Sequence, residues 1–278
     1  YLLMRKFYLL IFNYLALIYL SIFGRRLFFT FNSILLKLIL KSLGYQNFGS
    51  HSYTGEKKFI QSLKKFKPKV CIDIGAHVGE FSNLLIEELG CKVIGFEPNK
   101  YSFQELKKLE SQYQDNLKTY NYAITNKNKK TYLYYGSNKS QLASLNQKFT
   151  KISFIQNKNK MKINGITLDK FFEKNKNIKR IDFIKIDTEG HELEVLKGAE
   201  KTIKKFKPSF IQLEFNWHQL YKNNSLLMFQ KFLNNYDPYR ILPFGPPLIK
   251  IDPHRPENNI FHLSNIVFIK KTINYEKN

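Results

Sequence analysis

Two cysteines, Cys71 and Cys91, are all the thiol that this 278-residue chain carries. They offer neither metal-ligand spacing nor a disulfide framework. Both fall in or beside apolar runs, so they are expected as small buried residues. The missing framework is in keeping with a reducing compartment. Arginine is also scarce: Arg5, Arg25, Arg26, Arg180, Arg240 and Arg255 are the full set. The formal net charge of +23, from 45 basic and 22 acidic residues, is therefore nearly all lysine. Lysine is interleaved with asparagine, as in 127–130 and 174–179. Base readout favours the planar arginine fork, so this pattern reads as a solvated surface and argues against a nucleic-acid partner. A glycine is missing as well. A dinucleotide turn needs G-x-G-x-x-G facing a pyrophosphate. Here the pattern is Asp73-x-Gly75-x-x-x-Gly79, with Ala76 and His77 where the middle glycine would stand. That disfavours a nicotinamide dehydrogenase. No internal repeat is visible.

What is present is informative. Val70–Ile74 is an apolar run ending beyond Asp73, followed by the glycine turn and a helical pattern. Lys92–Phe96 is a second apolar run, and it ends at Glu97 and Pro98. This is a strand, a tight turn, a helix and a second strand capped by a carboxylate. Such an arrangement builds a nucleotide site in an open α/β sheet. Glu97 stands eighteen residues past Gly79, near the spacing of about 20 for a carboxylate that holds ribose hydroxyls. A ligand with a ribose and no pyrophosphate fits these residues better than a dinucleotide. An ordinary βα turn is the competing reading.

Downstream, Ile181–Ile186 reads as a buried strand, and Leu193, Val195, Leu196 and Ala199 recur at helical spacing. Asp187, Glu189 and His191 therefore fall at the carboxyl end of a strand, where open α/β sheets place their ligand crevice. Taken jointly, Asp-Ile-Gly-Ala-His-x-Gly, Phe-Glu-Pro-Asn and Lys-Ile-Asp-x-Glu-Gly-His-Glu resemble the FkbM-type methyltransferases. Residues 165–169, 208–214 and 265–269 extend the likeness over roughly 55 to 270. The resemblance implies S-adenosylmethionine as methyl donor and a Rossmann-like class I methyltransferase fold. That fold has a mostly parallel seven-stranded sheet, helices on both faces and one antiparallel strand near the C-terminus. The alternation of strands and helices along the chain agrees with it. A β-hairpin-like excursion is expected at 131–135 and 160–163, and the polar stretch 137–145 is either a lid or a plain connection.

On this reading Glu97 holds the ribose. Asp73 and the backbone of Gly75, Ala76, His77 and Gly79 lie against the methionine end, Tyr122, Ala123 and Ile124 flank the adenine, and Pro98 is a further cofactor contact. Asp187, Glu189 and His191 meet the acceptor, with His191 the better base by chemistry and Asp187 by position. Bland roles compete: Asp73 as a helix cap, His77 as a solvated turn residue, Glu192 and Glu194 as complements to a helix dipole. Trp217 and His218 would stack on a ligand or finish the core. No metal motif is apparent. Family likeness suggests an oxygen of a sugar, glycan or lipid-linked acceptor. A nucleic-acid methyltransferase and an anchored, catalytically inactive binding protein are the alternatives.

Residues 1–54 stand apart from the domain expected over 55–278. Phe7–Phe23 is a run of 17 residues broken only by Asn13 and Ser21, roughly 25 Å as a helix and short for spanning a bilayer. Leu27–Leu43 carries a polar stripe of Thr30, Ser33, Lys37 and Lys41, the pattern of an interfacial helix. No small-residue cleavage pattern follows. Membrane contact through residues 1–43 is expected, with the catalytic domain facing the cytosol, where the donor is made. Gly44–Gly55 reads as the junction.

Overall fold

The computed structural model describes residues 2–47, 49–138, 140, 142–244 and 246–275. In the polar stretch 137–145, Lys139 and Gln141 lie outside the described residues. The chain opens with helices α1 (Leu2–Phe23) and α2 (Phe29–Ser42). The α/β body then runs α3 (Glu56–Ser62), β1 (Val70–Ile74), α4 (Glu80–Leu89), β2 (Lys92–Phe96) and α5 (Lys100–Gln112). It continues β3 (Leu117–Tyr120), β4 (Ala123–Ile124), β5 (Lys130–Tyr135), β6 (Asn159–Ile166), α6 (Leu168–Lys174) and β7 (Phe183–Ile186). It closes with α7 (Glu192–Lys197), α8 (Glu200–Phe206), β8 (Phe210–Phe215), α9 (Trp217–Lys222), α10 (Leu226–Phe232), β9 (Tyr236–Ile241), β10 (Leu248–Lys250) and β11 (Ser264–Lys270).

The main sheet has the order β10-β9-β11-β8-β7-β1-β2-β3. Strands β3, β2, β1, β7 and β8 pair in parallel, and β11 inserts antiparallel between β8 and β9. With β9 these make the seven expected strands, β11 being the expected antiparallel one. The three-residue β10 extends the edge as an eighth strand, antiparallel to β9. Leu242 N–H donates to the Pro247 carbonyl (2.8 Å), closing the hairpin. Prolines around this turn cannot donate to a ladder, which suits an edge position. The expected third strand splits in two. After β3 the Asn121 amide donates to the Glu97 carbonyl (2.8 Å), and β4 leaves the sheet to pair with β6. β6 also pairs antiparallel with β5, the expected hairpin.

Apolar side chains alternate across the strands, so each face of the sheet has its own core. Ile184 and Ile186 pack with Phe96, Phe171 and Leu213 on one side, while Phe183 meets Phe59, Phe81 and Phe210 on the other. Lys185 shares the face of Phe183 and lies 4.6 Å above the Phe81 ring.

Helices α1 and α2 form a bent pair. Tyr19 Oη donates to Asn32 Oδ1 (2.6 Å), the Asn32 amide donates to the Phe23 carbonyl (2.8 Å), and Phe23 packs on Phe28 and Phe31. Most of their apolar side chains stay exposed, Leu10 at 71% among them, and Leu40 is the buried exception on α2. No single helix among the described residues is long and apolar enough to cross a membrane. Leu10–Phe23 and Arg26–Ser42 reach that length together, with a bend of 93° between them.

Candidate active site

A cleft of about 340 Å³ opens over the carboxyl ends of β1, β2, β7 and β8, the usual place for a ligand in this topology and within the usual size range. Its first wall is the β1–α4 turn. Gly75 adopts φ +86°, and a Cβ there would strike the backbone carbonyl of Asp187, so only glycine lets the two strand ends close up. The Gly75 and Ala76 N–H groups both donate to the Phe96 carbonyl (2.9 and 3.0 Å), fixing the turn against β2. His77, at φ +50°, donates its N–H to Glu97 Oε2 (2.8 Å), while Asn99 N–H donates to Oε1 (2.7 Å). Each oxygen keeps a lone pair for a further donor. Burial raises the Glu97 pKa to about 7 despite those two N–H donors. Tyr122, Ala123, Ile124 and Pro98 complete this end.

Gly75, Ala76, His77, Glu97, Pro98 and Ala123 thus all line the cleft; Asp73 and Gly79 do not. Asp73 is fully buried and its Oδ2 accepts from Ser82 Oγ in α4 (2.7 Å), so it ties strand to helix beneath the cleft. Gly79 caps α4 and turns its Cα toward Leu106 and Leu109 of α5, a packing role. Both departures share a cause. The turn faces the cleft with its Gly75–His77 half, and the helix start faces α5.

The second wall is acidic. One carboxylate oxygen each from Asp187, Glu189 and Glu214 lies within 4.8 Å of the others, close enough to share a cation. The sequence shows no metal spacing because Glu214 arrives from a neighbouring strand. Burial and then repulsion from neighbouring carboxylates push Glu189 and Glu214 well above the usual carboxylate range. Asp187 differs: Lys185 Nζ pairs with its Oδ2 at 2.8 Å. Burial works against the Lys185 ammonium, yet Asp187, Glu56 and Asp73 hold its pKa above the ordinary lysine value. A lysine inside an apolar strand was the available signal for this residue.

His191 departs from its expected place. It does not line the cleft; its Nε2 pairs with Thr125 Oγ1 (2.9 Å), its Nδ1 lies 3.9 Å from Glu194, and burial lowers its pKa to about 4. The cause is Gly190, at φ +91°, which folds the chain against Phe149 and His218 and turns the next side chain away. Glu192 accepts from Thr188 N–H, Thr188 Oγ1 and Gly190 N–H at 3.1 Å each, so it braces this turn from within. His218 is buried, bonded to Asn216, with its pKa lowered by burial to about 3. Trp217 does reach the cleft, with Phe154 at 5.1 Å and Tyr221 at 5.9 Å from its ring.

The third wall comes from the segment read as a junction. Gly44–Gly55 is built into the body. Tyr45 Oη donates to the Glu257 carbonyl (2.6 Å), Asn47 N–H donates to the Leu263 carbonyl (3.3 Å), and the Tyr45 ring covers the Arg240 guanidinium. Asn47, Ser50, His51, Thr54 and Glu56 consequently line the cleft. Nothing in their spacing announces this, because long-range contacts fold the segment over the strand ends.

Glu56, Glu80, Glu97, Asp187, Glu189 and Glu214 line a cleft in which Lys185 is the lysine among the lining residues. An acidic cleft in a chain of net charge +23 suits a cationic ligand that also presents hydroxyls. S-adenosylmethionine has both, and the Glu97 carboxylate, the Gly75 cradle and the negative lining all fit it.

A profile of the methyltransferase FkbM domain matches residues 73–240. Solved structures with a similar fold include the precorrin-6y C5,15-methyltransferase of Geobacter metallireducens. It is 11% identical, with 78% of this chain and 89% of that one covered and a TM-score of 0.40. A Streptococcus mutans protein described as a methyltransferase, solved with SAH, is 10% identical, with 77% and 96% covered and a TM-score of 0.42. The Pyrococcus abyssi tRNA (uracil-54, C5)-methyltransferase, solved with S-adenosyl-L-homocysteine, is 14% identical, with 80% and 39% covered and a TM-score of 0.38. No curated protein matches the chain. With more than half its length under the family profile, and with the glycine turn and strand-end carboxylates meeting in one cleft, the chain belongs to the FkbM family of S-adenosylmethionine-dependent methyltransferases.

Proposed function

We propose that this methyltransferase acts on an oxygen of a sugar, glycan or lipid-linked acceptor at a membrane surface. The observation that carries the reading is the acceptor wall, where three carboxylates adjoin Trp217, with Phe154 62% and Tyr221 47% exposed beside it. Carboxylates accept from hydroxyls, and aromatic faces stack on the apolar face of a sugar ring. The lysine on this wall, Lys185, is already held by Asp187, so the wall offers a phosphate no unengaged lysine, which disfavours a nucleic-acid acceptor despite the basic surface. The donor, when bound, supplies an electrophilic methyl whose positive charge is lost on transfer. The protein's part is therefore alignment of the two substrates and removal of the hydroxyl proton. Glu97 and the Gly75–His77 backbone hold the donor, and Asp187, Glu189 and Glu214 orient the acceptor. The exposed apolar faces of α1 and α2 support a shallow membrane attachment that leaves the cleft in the cytosol.

The test incubates purified protein with labelled donor and three acceptor sets: methyl glycosides, glycolipids in vesicles, and RNA and DNA oligonucleotides. Label transfer to a glycoside or glycolipid is the expected result. Transfer to the oligonucleotides alone overturns the acceptor class while leaving the methyltransferase intact.

A further inference from the structure

We propose that His51 is the group that takes the acceptor proton, with Glu56 as its positioning residue; this rests on the O-methylation reading above. His51 lines the cleft, and its Nδ1 lies 2.8 Å from Glu56 Oε2. Glu56 is buried at the start of α3, and three partners set its orientation. Thr54 Oγ1 donates to Oε2 (3.2 Å), Gln212 Nε2 donates to Oε1 (2.6 Å), and His51 supplies the third contact. Gln212 is itself braced by Asn265 Oδ1 at 3.3 Å. Burial works against the Glu56 charge, but the His51 hydrogen bond and nearby Lys185 keep its pKa below the ordinary value. A carboxylate so held accepts from Nδ1–H and fixes the neutral tautomer, which leaves the Nε2 lone pair as the ring's proton acceptor. The Phe81 ring, 5.5 Å away and nearly perpendicular, limits rotation of the imidazole.

The other imidazoles near the cleft are placed differently: His77 belongs to the β1–α4 turn, where its N–H is held by Glu97 on the donor side. His191 and His218 are turned into the body and held neutral by burial. Asp187 has Lys185 on one oxygen. His51 joins a carboxylate-held nitrogen to a cleft-facing ring that is 27% exposed, so a proton received there can pass on to water. In the step, the acceptor O–H bond breaks and its proton moves to Nε2. The oxygen lone pair forms the new O–CH3 bond, and the electrons of the S–CH3 bond stay on sulfur as a neutral thioether.

The experiment has two arms. In the first, ¹⁵N-labelled protein bound to S-adenosylmethionine is read by NMR, with expected shifts of a protonated Nδ1 and a bare Nε2 for His51. Glu56→Gln is expected to mix the tautomers, and Glu56→Asp to restore the bias if the glutamine variant misfolds. In the second, His51→Ala is expected to lower kcat about 100-fold, the usual scale for removing a general base. Donor Kd should stay within threefold, and added imidazole should recover part of the rate in this variant only. An Nε2–H tautomer overturns the proposal, as does near-normal turnover of His51→Ala or a rate loss matched by an equal loss of donor affinity. Wild-type protein that binds no S-adenosylmethionine overturns the methyl-transfer reading instead, and the tautomer arm, run without donor, still decides the dyad.

Discussion

Lys185 Nζ sits 2.8 Å from Asp187 Oδ2, a buried ammonium paired with a half-buried carboxylate at the end of β7. The lysine lies among Asp187, Glu56 and Asp73, so it is the internal counter-charge of the cleft floor. Breaking such a group from one side leaves uncompensated charge. Lys185→Met should destabilise the protein by about 3 kcal/mol at neutral pH, and less in acid as the carboxylates protonate. Urea unfolding at two pH values checks this; equal losses at both would show that the lysine's packing matters and its charge does not. Asp187→Asn keeps the shape while removing the charge proposed to face the acceptor. Turnover should fall at least tenfold, about 1.4 kcal/mol in the barrier, with donor affinity retained.

Gly75 is the position at which the first wall tolerates no side chain. Its φ of +86° and the Asp187 carbonyl lying where a Cβ would go make Gly75→Ala strained on two counts. A loss on the order of 2 kcal/mol in stability is expected, with donor binding weakened further because the turn must shift. Thermal unfolding with and without donor separates the two effects. A variant of unchanged stability and affinity would show that the two strand ends have room to part.

If Glu97 holds the ribose hydroxyls as proposed, donor binding should depend on pH. Its carboxyl is raised by burial to about 7, whereas hydroxyl donors of the ligand need the charged form. Affinity should therefore rise as pH increases toward and past 7, with protons released on binding at lower pH. Calorimetry in buffers of different ionisation heat reads that release directly. Glu97→Gln should flatten the dependence, and Glu97→Ala should cost about 1–3 kcal/mol of donor affinity. A pH-independent wild type would remove Glu97 from the ribose.

The same group affects folding. A carboxyl whose folded pKa is raised stabilises below its unfolded pKa, about 4.3. That contribution is lost as pH rises through the folded value. Glu97 and Glu192 are both raised by burial to about 7, and Glu189 and Glu214 are raised by burial and like charge. The ligand-free protein should lose thermal stability between about pH 5 and pH 8, and the cationic donor should restore it. A melting temperature that climbs over this range would contradict the charge balance described for the cleft.

Local pattern made much of this legible in advance. The strand–glycine turn–strand unit and Glu97 are contiguous signals, and so is the β7 end bearing Asp187 and Glu189. Side chains whose direction depends on a neighbouring element were harder to place. Gly190 reverses His191 because Phe149 and His218 occupy the other side. Asp73 reads as a ligand contact until Ser82 is seen to claim it. His51 and Glu56 carry no motif at all; contacts of Tyr45 and Asn47 with residues more than 200 positions away bring them over the strand ends.

The N-terminal helices give the last prediction. Along α1, Leu10, Phe12, Leu15, Leu17 and Leu20 are all more than half exposed, and along α2 the same holds for Phe29, Ile34, Leu36 and Leu38. An apolar surface this continuous is seldom left bare in water. The 93° bend at Gly24–Arg25 sets the two helices across one another, a shape that lies within one leaflet more readily than it crosses the bilayer. Protein bearing residues 1–43 should therefore float with phosphatidylcholine vesicles and resist release by high salt, because apolar insertion is not screened as surface charge is. Anionic lipid should add only a salt-sensitive increment. Protein beginning at Gly44 keeps the Tyr45 and Asn47 anchors and the His51 wall, so it should stay in solution and still bind the donor. If the longer protein remains monomeric in solution without detergent or vesicles, the pair packs elsewhere and the attachment is wrong.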